Sequence, residues 1–296
     1  MEMDIDEKLS KPLGIGFDDV WTFLHEYIRP DRSEGSATPD LTFSLGHVDL
    51  IPQIGEMVRR VGDDPVCLIE GCTSPTNGRA LDRFLRRHGA TRPTVHAIDL
   101  IDVKSIFAEH GIDMPDMAFH VADARDLSGL FSAGSVDVVA QDFLLNCAPY
   151  ATHSPIMREA NRVMGPESVA FVCFTDHRGP ANESMITYDE FEMKYLVPFK
   201  ESAFSLRDIV TGRDDDGLLQ RMRRDLAGKV IADEAQGRYT LVTGAGGNFE
   251  FYRPFDAFER LFAQAGLMIE GLEESSGRDR NDNLCFRYRA VLRKGD

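Results

Sequence analysis

From Val66 onward, short apolar runs recur along the chain, and each is closed by an acidic, small or turn-forming residue. They read Val66-Cys-Leu-Ile-Glu-Gly71, Val95-His-Ala-Ile-Asp99, Phe119-His-Val-Ala-Asp-Ala124, Val136-Asp-Val-Val139 and Val169-Ala-Phe-Val-Cys-Phe174. Runs of this length, rich in β-branched residues, predict buried strands. Between them the spacing of apolar positions lengthens to that of helices, with starts near Asn77, Val103 and Ser154. Strands alternating with helices predict a mostly parallel sheet with right-handed crossovers. Ligands of such a sheet bind outside the carboxyl ends of its strands, where polar residues stand repeatedly here, so one nucleoside-type site is expected there.

The flanking segments read differently. Residues 1–64 predict a helical cover, with helices over Phe17–Tyr27 and Val48–Val61. It serves either to close the mouth of a cofactor site or to make an oligomer contact. Residues 65–176 hold the alternating core. In residues 177–247 the alternation stops; two or three helices, the acidic loop Asp214–Asp216 and the turn Gly244–Gly247 predict a helical insertion, either a substrate cap or a dimerisation element. Residues 248–296 complete the core sheet, with a one-faced helix over Pro254–Leu267, capped by Gly266, and strands at Met268–Leu272 and Leu284–Leu292.

Composition narrows the partners. The chain carries 49 acidic and 33 basic residues, a net charge of -16, which repels a phosphate backbone and argues against nucleic acid. Five cysteines form no CxxC pair, and Cys67 and Cys173 lie inside apolar runs, the pattern of reduced, buried thiols. No tight His/Asp/Glu cluster predicts a metal. The acidic N-terminus lacks a hydrophobic signal core, and no apolar stretch is long enough to span a bilayer. The expectation is a soluble cytoplasmic protein, with a homo-oligomer through the N-terminal helices or the cap.

The order of these segments resembles the class I S-adenosylmethionine (SAM)-dependent methyltransferases, above all in Arg158–Phe174 and in a helix ending Ala265-Gly-Leu267 before two last strands. The resemblance covers about residues 65–176 and 254–293. It implies a Rossmann-like sheet, mostly parallel with an antiparallel C-terminal strand, and SAM as methyl donor. The loop from Glu70 to Gly78 takes the place of the family's glycine motif, with Cys72, Thr73 and Pro75 breaking the alternating glycines. Gly71 lets the backbone approach the ligand, and Glu70 orients the loop or receives the cofactor's ammonium. Asp99 is the candidate for the ribose diol, with Asp102 as its alternative. Asp123 and the amide of Ala124 match the adenine positions, although Asp123 also suits a helix cap or turn. Gln141 and Asp142 follow the fourth strand, where cofactor and substrate pockets meet, and Phe143 packs on adenine or in the core.

On the acceptor side, methyl transfer is an in-line displacement in which positioning supplies much of the acceleration. His177 and His153 are the candidate bases, each with an ordinary hydrogen-bonded role as the alternative. A zwitterionic acceptor needs a guanidinium together with acidic or phenolic groups, and the cap offers Arg178, Glu183, Tyr188, Tyr195, Arg207, Tyr239, Tyr252 and Arg253. Tyr150 and Tyr252 are candidates to line a sulfonium pocket. The acidic chain, helical cover and long cap are similar to bacterial methionine S-methyltransferases, which implies the small molecule L-methionine as acceptor, S-methylmethionine as product and a place in dimethylsulfoniopropionate (DMSP) biosynthesis. A thioether has no proton to lose, so that acceptor requires no base. The alternatives are an O- or N-methyltransferase with a general base, an NAD(P)-dependent oxidoreductase, disfavoured because no GxGxxG follows the first strand, and a non-catalytic SAM-binding protein.

Overall fold

The computed structural model describes residues 50–71, 77–100, 102–109, 117–177, 185–197, 221, 224–243, 248–278 and 284–295. The expected helix at Phe17–Tyr27 lies outside them. The core opens with α1 (Ile54–Arg59), then β1 (Val66–Glu70), α2 (Asn77–Arg87), β2 (Thr94–Asp99), α3 (Val103–Glu109) and β3 (Ala118–Val121). It continues through β4 (Val136–Asp142), the short α4 (Leu144–Cys147), α5 (Tyr150–Val163) and β5 (Met164–His177). The insertion follows with β6 (Met185–Thr187), α6 (Tyr188–Phe191), β7 (Val230–Asp233), β8 (Arg238–Thr243) and β9 (Asn248–Tyr252). The chain then returns with α7 (Phe255–Gln264), β10 (Leu267–Arg278) and β11 (Leu284–Lys294).

Seven strands form the main sheet in the order β10-β11-β5-β4-β1-β2-β3. Strands β1 to β5 pair in parallel, whereas β11 runs antiparallel to both β5 and β10. The last strand therefore sits inside the sheet, with β10 at its edge. Its sequence suits that place: Tyr288, Ala290 and Leu292 point to one face and Val291 to the other, all buried.

Alternation of side chains across the strands divides the core into two layers. Cys67, Ile69, Ala97, Val138, Ala140, Phe171 and Val291 pack beneath α1 and α2. Leu68, Ile98, Val139, Ala170, Val172, Ala290 and Leu292 pack beneath α5 and α7. Arg162 has a structural place, donating to Glu159 and to the Phe131 carbonyl.

Several elements depart from the sequence expectation. The helix expected at Val48–Val61 is confined to Ile54–Arg59, preceded by Gln53 in the left-handed region at φ 62°. The helix expected near Ser154 starts at Tyr150, behind Pro149, and Gln141 and Asp142 are the last residues of β4 rather than its sequel. The largest difference is the insertion. Expected to hold two or three helices, it carries among its described residues α6 and a π-helical stretch at Glu192–Leu196, together with an unexpected second sheet in the order β6-β7-β8-β9 that runs on to Tyr252, past the expected limit at residue 247. The physical reason lies in the Val-Ile run of β7 and the alternation of β8, separated by Gly237 at φ 59°, and in cross-strand pairs such as Tyr239 with Tyr252.

No described helix is long and apolar enough to cross a membrane.

Candidate functional site

Four sequence-predicted residues meet where β2, β1 and β4 end side by side. Glu70 closes β1 and is in register with Ile98 on one side and Gln141 on the other. Neighbouring strands lie about 4.8 Å apart, so Glu70 and Gln141 stand next to each other on one face of the sheet. Gln141 Nε2 donates to Glu70 Oε2 at 2.5 Å, while Glu70 Oε1 and Gln141 Oε1 are buried without a hydrogen-bond partner. Burial pushes the Glu70 carboxyl up to about 8, against the lowering effect of the Gln141 amide. An acidic group held this way suits a cationic hydrogen-bond donor, whose charge would return it to the carboxylate.

Gly71 follows at φ 74°, its N–H donating to the Ile98 carbonyl at 3.0 Å. A Cβ there would fall 3.0 Å from Leu144 Cδ1, so the Leu144 side chain closes over this backbone, and the positive φ together with that contact favours glycine. Phe143, between β4 and α4, also adopts the left-handed region, at φ 57°, with its N–H on the Cys173 carbonyl. A non-glycine residue in that region stores strain, and here the strain sets the direction in which α4 leaves the sheet.

Asp99 ends β2 and is 7% exposed. Its alternative, Asp102, caps α3 instead: the Ser105 hydroxyl and amide both donate to it, holding its carboxyl below the usual range. Leu100, which sequence reasoning passed over, is 47% exposed directly after Asp99, an apolar surface of the kind a planar ring covers. Its signal was present as a large apolar residue just beyond an acidic strand end. Asp123 lies beyond β3 in a bidentate pair with Arg125, their closest contact 2.5 Å. A base amino group placed at Asp123 would therefore share it with Arg125. Ala124 is partly buried against the α5-side layer.

The acceptor candidates are placed less as expected. Tyr150 is 4% exposed, and its hydroxyl lies 2.8 Å from the Tyr239 carbonyl and 3.0 Å from that of Tyr252. It joins α5 to β8 and β9. His153 is fully buried. Arg253 Nε donates to its Nδ1 at 3.2 Å, so the ring proton sits on Nε2, which donates to the Ala148 carbonyl at 2.8 Å. Burial and the Arg253 charge lower its pKa to about 3. Tyr252 is buried with its hydroxyl on Glu250, and Tyr195 is buried with its hydroxyl 3.2 Å from Asp225. Arg253 stacks over the Tyr150 ring at 5.0 Å. Tyr188 opens α6, half-buried. His177 ends β5 opposite Cys285, its side chain outside those described. Cys72, Arg178, Glu183 and Arg207 lie outside the described residues.

No known protein family matches the chain, and no curated protein matches it. Among solved structures it is similar to the 1,6-didemethyltoxoflavin-N1-methyltransferase of Burkholderia thailandensis with bound 1,6-didemethyltoxoflavin and S-adenosylhomocysteine, at 11% identity over 98% of this chain and 94% of that one, TM-score 0.48. A protein of Pyrococcus horikoshii shares 14% identity over 91% and 98%, TM-score 0.48. A SAM-dependent methyltransferase of Methanosarcina mazei shares 14% over 80% and 95%, TM-score 0.46. Likeness of this degree assigns no ligand and no residue role.

Proposed function

We propose that the chain is a SAM-dependent methyltransferase acting on a small molecule. The observation that carries this reading is Glu70, an acidic group fully buried at the end of β1, with one oxygen unpartnered, beside the left-handed Gly71. A dinucleotide enzyme brings its pyrophosphate to the loop after this strand, and an acidic group there opposes that charge. SAM instead presents cations, an ammonium and a sulfonium. Glu70 and Gln141 suit its amino-acid end, Asp99 its ribose diol, and Leu100 with Asp123 and Ala124 its adenine. When bound, SAM supplies an electrophilic methyl group; the chain's part is to hold it, exclude water and align the acceptor.

With His153 locked neutral and donating, the candidate base that remains from the sequence is His177. The finer reading, L-methionine as acceptor, rests on the chain-wide resemblance and requires no base. Calorimetry with S-adenosylhomocysteine, and with NAD and NADP as controls, tests the class: binding of the first alone is expected, and binding of NAD or NADP alone would overturn it. Mass spectrometry of a reaction with SAM and L-methionine tests the acceptor, through joint formation of S-methylmethionine and S-adenosylhomocysteine. Absence of both moves the acceptor to a hydroxyl or amine, for which His177→Ala is expected to abolish turnover while leaving SAM binding intact.

A further inference from the structure

Asn146 is 5% exposed, in the four-residue helix α4, and its amide touches two sheets at once. Oδ1 accepts from the Thr175 N–H at 2.8 Å, while Nδ2 donates to the Thr175 carbonyl at 3.0 Å and to the Phe251 carbonyl at 2.9 Å. Only one orientation of the amide satisfies all three, because an N–H of the backbone must face the oxygen. Thr175 belongs to the end of β5, and Phe251 to β9 of the inserted sheet. The other end of α4 is the cofactor side, where Phe143 turns through its strained conformation and Leu144 closes on Gly71.

This single helical turn thus has its first residue, Leu144, on Gly71 and its third, Asn146, on the inserted sheet. Four residues are too few for the two ends to move independently. A ligand that orders Gly71 and Phe143 also fixes Leu144, and with it Asn146 and the β9 backbone. We propose that Asn146 is a positioning residue, coupling occupation of the cofactor site to the placement of the inserted sheet. The sheet is then set for the acceptor only when the methyl donor is present. This rests on the SAM-binding reading above. By reciprocity, whatever holds the inserted sheet in place strengthens donor binding by the same factor.

Hydrogen–deuterium exchange of the full chain, with and without S-adenosylhomocysteine, tests it. In the wild type the ligand is expected to slow exchange at residues 66–71, 94–100 and 141–147, and also at 248–252 in β9. In Asn146→Ala the first three segments keep that protection and β9 loses it. Asn146→Asp keeps the acceptor for the Thr175 N–H and loses both donated bonds, so it is expected to behave as Asn146→Ala while holding α4 on β5. Protection of β9 that persists in both variants, or is absent from the wild type, overturns the coupling; the wild-type arm decides this even where a variant does not fold. No protection in any segment overturns the cofactor reading instead.

Discussion

Glu70 and His153 are both fully buried, and each is held in its uncharged form. Their effects on stability have opposite signs. Folded Glu70 keeps its proton up to about 8, whereas the unfolded chain releases it near 4.5, so the native state binds more protons between these values. Stability therefore falls as pH rises through that window. Folded His153 takes a proton only near about 3, against 6.5 when unfolded, so stability falls as pH drops from 6.5. His96, lowered by burial and by His120 beside it, adds to the acid limb. Between pH 4.5 and 6.5 the two buried groups oppose each other, and each pH unit outside the overlap is worth about 1.4 kcal/mol. Thermal melts of the ligand-free protein are expected to show a plateau there with losses on both sides. Glu70→Gln flattens the alkaline limb and leaves stability rising with pH between 4.5 and 6.5, whereas His153→Gln reduces the acid limb and leaves stability falling with pH there; an unchanged alkaline slope in Glu70→Gln would remove Glu70 as its source.

Helices α4 and α5, which directly follow β4, carry the polar side chains that fasten the inserted sheet. The Tyr150 hydroxyl sits between the carbonyls of Tyr239 and Tyr252, residues that pair across β8 and β9. The guanidinium groups of Arg238 and Arg253 lie over its ring at 5.2 and 5.0 Å. Tyr150→Phe keeps the ring and these cation contacts and removes only the hydroxyl. The expected cost is about 1–2 kcal/mol, the range for a buried hydrogen bond whose acceptors stay behind. Faster exchange of residues 238–243 and 248–252 should accompany the lower melting temperature. A loss spread evenly over the main sheet would mean that Tyr150 supports the core rather than the junction.

Across the molecule, a net charge of -16 on 296 residues makes the folded chain repel itself. Raising ionic strength from about 0.01 M to about 0.15 M shortens the screening length from about 30 Å to about 8 Å. Calorimetric scans should show a melting temperature that rises over this range; a fall would mean that exposed ion pairs such as Arg92–Asp64 and Arg260–Asp256 outweigh the repulsion.

The strand runs, the alternation and the acidic strand ends were legible from Val66 to Phe174 because burial on both faces fills the inner strands β1, β4 and β5 mostly with apolar residues, and the runs stop in polar ones at the edge that carries the candidate site. Glu70, Gly71 and Asp99 could be named from that punctuation, and Gln141 through the family resemblance. Their neighbours could not, because partners separated by about 71 residues, as Glu70 and Gln141 are, meet only through register. Tyr150 and His153 read as site residues in the sequence; three-dimensional packing buries them against Tyr239, Tyr252 and Arg253, which lie about 90–100 residues further along. The strands of the insertion went unread for the same reason. Short strands such as β6 and β7, even with the Val-Ile run of β7, form a sheet only through the neighbours they pair with. Local pattern thus determined the layers of the core and the edge that carries the candidate site, while long-range pairing decided which polar groups remain available there and which hold two sheets together.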